Sequence, residues 1–312
     1  MEDQMSEKIY NSMLELVGNT PIVRLNGMSR ETGAEILAKI EYFNPMSSVK
    51  DRVALSMVED AEKRGVLKKG SVIVEPTSGN TGVGLAFVCG IKGYKLILTM
   101  PDTMSVERRK LLKVLGAKLI LTPGAKGMKG SIATATELVE NNDNHLMLQQ
   151  FENPANTEAH VRTTAVEIIN DCDGKVDIFI AGVGTGGTLT GVGKTLKKEL
   201  GDVKVVAVEP DDSAVLSGGS PGPHKFQGIG AGFISKITEV DIIDEIVRVV
   251  AKDAFVEARK IAKEEGIFCG ITSGAVLTAA RKIASRPENK GKRIVIIIPD
   301  TGERYLSTEL FG

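Results

Sequence analysis

Lys50 is a residue whose surroundings could make it a nucleophile. Asn44-Pro45 breaks the chain before it, because a residue preceding proline is pushed out of helical space. Val49, Val53, Met57 and Ala61 then recur at helical spacing, with Ser47 or Ser48 placed to cap the helix. Lys50 falls in the first turn of that predicted helix, where the positive end of the peptide dipoles disfavours an ammonium. A lysine that gives up its proton is a neutral amine, and a neutral amine can attack a carbonyl to form an imine. Taken alone, Lys50 could equally be a solvated surface charge, as most lysines are.

Four other segments combine chemistry-bearing residues. Pro76-Thr77-Ser78-Gly79-Asn80-Thr81-Gly82 follows a strand-like run and opens a helical stretch. Backbone N–H groups at a helix start, ringed by hydroxyls, suit a substrate carboxylate, although the same residues are ordinary caps. Gly182-Val183-Gly184-Thr185-Gly186-Gly187-Thr188 contains G-x-G-x-x-G after an apolar strand, and Glu209 ends the next strand-like run. A dinucleotide fingerprint wants an acid there, so a Rossmann nicotinamide-dependent oxidoreductase is a rival reading. Thr185 and Thr188 argue instead for a terminal phosphate with three free oxygens, as does the motif's place in mid-chain. Gly193-Lys194-Thr195 is no Walker A loop, because Thr188 stands where the required glycine would be. In Gly270-Ile271-Thr272-Ser273-Gly274, the hydroxyls either cap the next helix or meet a ring nitrogen. Pro299-Asp300-Thr301-Gly302-Glu303-Arg304-Tyr305 is either a surface turn or one wall of a cofactor site. Cysteines and histidines show no zinc spacing. His145, His160 and His224 are scattered and read as surface or packing residues.

The elements that must position these groups follow one pattern, a short apolar run, a glycine-rich turn and a helical stretch. Strand-like runs occur at 71–75, 95–100, 119–122, 176–181, 203–209 and 293–298. Runs apolar on both faces and alternating with helices argue for parallel sheets covered on both sides. The runs fall into two series, before and after about residue 150, which predicts two α/β domains. Ligands of open parallel sheets bind outside the carboxyl ends of the strands, and the polar, glycine-rich segments lie at those ends. A cleft between the two domains is the expected site.

Lys plus Arg number 39 and Asp plus Glu 40, for a net charge of −1 among 312 residues. That balance gives no electrostatic reason to expect nucleic acid or an anionic membrane as partner. Apolar runs such as 294–298 are strand-length and far short of a membrane span. The first eight residues are charged and lack a signal-peptide core. Cys89, Cys172 and Cys269 are odd in number and far apart, which suits a reducing, cytoplasmic setting.

Taken in order, the motifs closely resemble the cysteine synthase (O-acetylserine sulfhydrylase) family over essentially the whole chain. The likeness runs from Leu16-Val17-Gly18-Asn19-Thr20-Pro21 to Gly302-Glu303-Arg304-Tyr305-Leu306-Ser307-Thr308. Between them lie Ser48-Val49-Lys50-Asp51-Arg52, the 75–82 segment, Met104-Ser105-Val106-Glu107-Arg108-Arg109, residues 149–156 and Gln227-Gly228-Ile229-Gly230-Ala231-Gly232-Phe233. The resemblance implies fold type II, a tryptophan synthase β-like arrangement of two three-layer α/β domains with mostly parallel sheets. It places a smaller mobile substrate-binding domain at 46–153, and a larger domain holding the cofactor phosphate at 1–45 and 154–312.

The same resemblance implies roles. Lys50 would hold pyridoxal 5'-phosphate as an imine and then move protons. Gly184, Thr185, Gly186, Gly187 and Thr188 would hold the cofactor phosphate, and Asn80 the pyridine 3-hydroxyl. Thr77, Ser78, Thr81, Gln150 and Gly228 would bind substrate. Thr272 would meet the pyridine nitrogen, where the family usually has serine, with Ser273 as fallback. Ser235 stands where proline is common and is read as touching no proposed role. The implied reaction replaces the acetate of O-acetyl-L-serine with sulfide through an α-aminoacrylate, giving L-cysteine. A homodimer and the C-terminal tail of a serine acetyltransferase are the implied protein partners. A cystathionine β-synthase-type reaction on serine remains an alternative, although residues 221–230 look like the acetylserine-using type.

Overall fold

The computed structural model describes residues 9–77 and 79–312. Among them the strands are β1 (Ile22–Arg24), β2 (Glu35–Ile40), β3 (Val72–Pro76), β4 (Lys95–Pro101), β5 (Lys118–Thr122), β6 (His145–Leu146), β7 (Ile178–Gly182), β8 (Lys204–Pro210), β9 (Glu245–Val249) and β10 (Arg293–Ile298). The α-helices are α1 (Asn26–Thr32), α2 (Lys50–Lys63), α3 (Asn80–Lys92), α4 (Val106–Val114), α5 (Gly127–Glu140), α6 (Pro154–Ala159), α7 (Ala165–Asp171), α8 (Gly187–Leu200), α9 (Ala251–Glu264) and α10 (Ile271–Ala284). A π-helical turn, His160–Thr164, joins α6 to α7.

The strands form a six-stranded sheet in the order β1-β2-β10-β7-β8-β9 and a four-stranded sheet in the order β5-β4-β3-β6. Every pairing is parallel except β1 with β2, where Ile22 opposes Lys39. β10, the last strand in the chain, lies between β2 and β7, with Arg293 beside Glu35 and Ile294 beside Ile178.

Each sheet is covered on both faces, as its apolar runs predict. Along β10, Ile294, Ile296 and Ile298 enter one buried cluster, with Ala254, Phe255, Ala258 and Ile261 of α9 and much of α10. Val295 and Ile297 enter the opposite cluster, with Ala165 and Ile168 of α7 and Leu189, Val192 and Leu196 of α8. The period-two alternation of a strand makes this division, because successive side chains point to opposite faces. The four-stranded sheet is built the same way. Ile73 and Leu98 pack on α2 and α3, while Val72, Val74 and Ile97 pack with Ala135 of α5. All four of its strands lie between residues 72 and 146. Among the described residues, no helix is long and apolar enough to cross a membrane.

Candidate active site

The carboxyl ends of β2, β3, β7 and β10 lead into the segments singled out by residue chemistry. Lys50 is the first residue of α2, whose Val49, Val53, Met57 and Ala61 are buried as expected. The cap differs from expectation. Val49 is the N-cap residue and no side chain caps the helix, although Ser48 Oγ accepts a hydrogen bond from the Lys50 N–H at 3.2 Å. The chain before Lys50 is stitched to the end of β10. The Val49 N–H donates to the Pro299 carbonyl at 2.8 Å, and Ser48 forms a bridge with Asp300. That attachment takes the place of a serine cap. Burial holds the Lys50 ammonium below the ordinary lysine range, with the Asp300 carboxylate opposing. The helix is anchored two residues later by Arg52, which bonds Glu41 at 2.7 Å and Glu167 at 2.6 Å.

The segment after β3 forms the next wall. Thr77 is buried, and its Oγ1 accepts from the Gly79 N–H at 3.3 Å. Ser78, expected to bind substrate, lies outside the described residues. Asn80 and Thr81 open α3, and Thr81 Oγ1 donates to Gln150 Oε1 at 2.6 Å. Residues 69 positions apart in the chain thus share one polar edge. Gly84 permits the approach of α3 to α2, because an added Cβ would lie 2.8 Å from the Lys50 carbonyl oxygen.

The glycine turn after β7 has the geometry of an anion cradle. Gly186 caps α8 with φ of +80°, a left-handed conformation that favours glycine, and Gly187 begins the helix. A side chain on Gly184 would meet the Gly228 carbonyl oxygen at 2.1 Å, and one on Gly187 would meet Asn156 Oδ1 at 2.2 Å. Thr185 Oγ1 accepts from Asn156 Nδ2 at 3.0 Å, and Thr188 Oγ1 lies 3.1 Å from His160 Nε2. Burial, with the charges of Arg52 and Lys50, pushes the His160 imidazolium well below its ordinary range.

Several sequence-based expectations need correction. Thr272 and Ser273 are not caps. Gly270 is the N-cap of α10, and both hydroxyl residues lie inside its first turn. Thr272 Oγ1 donates to the Gln227 carbonyl at 2.9 Å, whereas Ser273 Oγ is buried without a partner among the described residues. Glu209 cannot serve a ribose. It is buried, and its two oxygens accept from the Leu216 and Ser217 N–H groups and the Ser217 hydroxyl, closing the loop after β8. Ser235 does touch the cradle, donating from Oγ to the Thr185 carbonyl at 2.5 Å.

Residue patterns singled out the 299–305 segment but not the roles of its individual side chains. Asp300 is buried and accepts from Asn80 Nδ2 at 2.7 Å and from the Tyr305 hydroxyl at 2.5 Å. Arg304 donates to Asn80 Oδ1 and to the Met46 carbonyl. The 299–305 segment is thus tied to Asn80 at the start of α3 and to Met46 before α2, rather than lying as a free surface turn. Asn156 and His160, which brace the cradle, carried no local signal beyond Asn153-Pro154 starting a helix.

These residues fit a phosphate-bearing aldehyde cofactor. A desolvated amine, a glycine cradle at a helix N-terminus and hydroxyls on both sides match its functional groups. Asn156 Oδ1, Ser273 Oγ and Asp300 Oδ1 are buried without hydrogen-bond partners among the described residues. Such orphans cost free energy until a bound polar group or water completes them.

Comparison with known proteins agrees. The pyridoxal-phosphate dependent enzyme family matches residues 13–300. A cysteine synthase of Staphylococcus aureus is 53% identical over 309 residues, covering 99% of each chain. The solved cysteine synthase of Entamoeba histolytica superposes with a TM-score of 0.95 at 49% identity, over 98% of this chain and 91% of that one. An O-ureido-L-serine synthase gives a TM-score of 0.93 at 46% identity, over 97% and 95%. A hydrogen sulfide-producing enzyme of Fusobacterium nucleatum gives 0.91 at 45%, over 96% and 100%.

Proposed function

This chain belongs to the family of pyridoxal-phosphate dependent enzymes and, within it, to the cysteine synthases, and from that premise we propose that it makes L-cysteine and acetate from O-acetyl-L-serine and sulfide. Pyridoxal phosphate, when bound, supplies an electron sink at the substrate α-carbon. What supports the residue assignment is the junction at the Lys50 end of α2, where the Val49 N–H donates to the Pro299 carbonyl at 2.8 Å, Asp300 accepts from Asn80 at 2.7 Å, and burial lowers the Lys50 ammonium.

Lys50 holds the cofactor aldehyde and is the base that takes the substrate α-proton. Its lowered affinity for protons keeps a share of the amine neutral, which both tasks require. The Cβ–O bond breaks and acetate leaves with the electron pair. Sulfide then forms the Cβ–S bond, and Lys50 returns the proton to the α-carbon. Gly184, Thr185, Gly186, Gly187 and Thr188 would hold the phosphate, Asn80 the ring hydroxyl, and Thr272 the ring nitrogen once its hydroxyl leaves the Gln227 carbonyl, with the unpartnered Ser273 hydroxyl as fallback. Thr77, Ser78, Thr81 and Gln150 take the substrate carboxylate, with Gly228 beside them. A hydroxyl at the ring nitrogen, unlike a carboxylate, does not hold that nitrogen protonated, which favours elimination over transamination.

Residues 46–153 form the smaller, mobile unit in this reading, closing over the substrate and excluding water. Residues 1–45 and 154–312 form the larger one. Confinement of the four-stranded sheet to 72–146 supports the division. A homodimer, docking of a serine acetyltransferase C-terminal tail and a cytoplasmic location belong to the same proposal, and resemblance supports them.

The purified holoenzyme tests the reading. Its visible cofactor band should shift on addition of O-acetyl-L-serine and return on addition of sulfide, with cysteine released. Lys50→Ala should lose this response and turnover together. Inertness toward O-acetylserine, with turnover of serine plus homocysteine, would move the assignment to cystathionine β-synthase chemistry. Full activity in Lys50→Ala would refute the role of the amine.

A further inference from the structure

Glu75 ends the buried part of β3, two residues before Thr77, and its side chain is 1% exposed. Its Oε2 accepts from the N–H groups of Leu148 at 3.0 Å and Gln149 at 3.1 Å, and its Oε1 from that of Gln150 at 3.1 Å. We propose that Glu75 is a positioning residue for the substrate carboxylate, because its side chain holds the 148–150 turn so that Gln150 meets Thr81. The proposal rests on the reading of Thr77, Thr81 and Gln150 as the carboxylate site.

The turn needs such a hold. Gln149 has φ of +60°, a left-handed conformation that a residue with a side chain adopts at a cost unless its surroundings enforce it. Three consecutive N–H groups converge on one side chain, and only an ionised carboxylate offers acceptor sites to all three while presenting no donor. An amide of the same size has one oxygen, and its NH₂ group would confront at least one of these N–H groups. The turn has a second fastening. Asn156 Nδ2 donates to the Gln150 carbonyl at 2.8 Å and to Thr185 Oγ1 at 3.0 Å. Glu75 thus sets one end of a track running from the carboxylate edge to the glycine cradle. Burial raises the Glu75 carboxyl to about 7, while the three N–H bonds favour the ionised form and act the other way.

The experiment compares wild type, Glu75→Gln and Glu75→Asp as holoenzymes. Wild-type turnover of O-acetyl-L-serine is the control that belongs to the functional reading, and the comparison among variants belongs to this one. In Glu75→Gln, KM for O-acetylserine should rise roughly tenfold, the equivalent of one misplaced hydrogen bond. Its kcat should stay within about twofold and its cofactor band should match wild type. Deuterium uptake should speed up in the peptide carrying 148–150. Glu75→Asp keeps the acceptors on a shorter arm and should fall between. An unchanged KM, or a fall in kcat with KM held, overturns the proposal. So does failure of both variants to fold, which would make Glu75 a support of the whole domain.

Discussion

Two carboxylates, buried Glu75 and half-buried Glu167, are pushed in opposite directions by their surroundings. Glu75 is raised to about 7 by burial, and no charged neighbour contributes to the shift. Burial also acts on Glu167, but the hydrogen bonds and charges of Arg52 and Lys39 bring it down to about 2. The two respond oppositely to pH. Glu167 stabilises the fold above its unfolded range near 4.5, and that contribution is lost as pH falls toward 2. Glu75 binds its proton more tightly when folded, so its contribution is greatest below 4.5 and declines as pH rises through 7. Replacing Glu75 by Gln removes this decline. Denaturant unfolding near pH 4.5 and above pH 7 should show wild type losing on the order of 3 kcal/mol relative to the variant across the window. Parallel profiles would show that the Glu75 carboxyl is not raised. Asp51, also raised to about 7 by burial, titrates in both proteins and cancels in the comparison. The proposed site residues were readable by type at this scale. Lys50, Asn80 and Thr185 announce themselves through unusual neighbours, whereas Glu75 looks like any acid at a strand end until the 148–150 N–H groups are seen to converge on it.

Among elements, the contact of α2 with α3 matters most, because α2 begins at Lys50. Gly84 sets their separation. A Cβ there would lie 2.8 Å from the Lys50 carbonyl oxygen and 3.0 Å from Ala54 Cβ. Alanine is favoured over glycine within a helix by about 1 kcal/mol, so helix propensity predicts that Gly84→Ala stabilises. Overpacking against backbone opposes this by about 1–3 kcal/mol, and here it should win. The expected outcome is a lowered unfolding midpoint and weaker retention of pyridoxal phosphate on dialysis, since displacing α2 displaces Lys50. A stabilised Gly84→Ala enzyme with normal cofactor retention would refute this account. The helices themselves were readable from periodicity, and the buried positions 49, 53, 57 and 61 agree. Their starts were less so. The serines before Lys50 and the Thr272-Ser273 pair look like caps. In the first case strand-like pairing with Pro299 and Asp300, just after β10, ties the chain down, and in the second an extended Gly270 lets the helix begin earlier.

Across the whole molecule, Arg52 joins parts remote in the chain. Its guanidinium bonds Glu41 after β2, Thr20 before β1, Thr163 in the π-helical turn and Glu167 in α7. Glu41 is fully buried. Arg52→Met would leave that carboxylate without its cation, and stability should fall by about 3–5 kcal/mol. Thermal unfolding would register this, and a midpoint equal to wild type would show that the network adds nothing.

Local patterns by themselves determined the units of this protein: apolar strand runs, glycine turns and helix faces, with the proposed amine and anion residues at the strand ends. Those features depend on near neighbours in the chain, which sequence lists directly. Tertiary structure alone decided that β10 lies between β2 and β7, that Asp300 and Arg304 reach Asn80, that Glu209 closes a loop, and that Glu75 grips the turn at 148–150. Apart from the Glu209 loop, whose partners lie seven and eight residues on, those are hydrogen bonds between distant segments. They exist only because packing on both faces of the sheets brings the segments together and strips water from their polar groups, which must then pair with whatever lies across the gap.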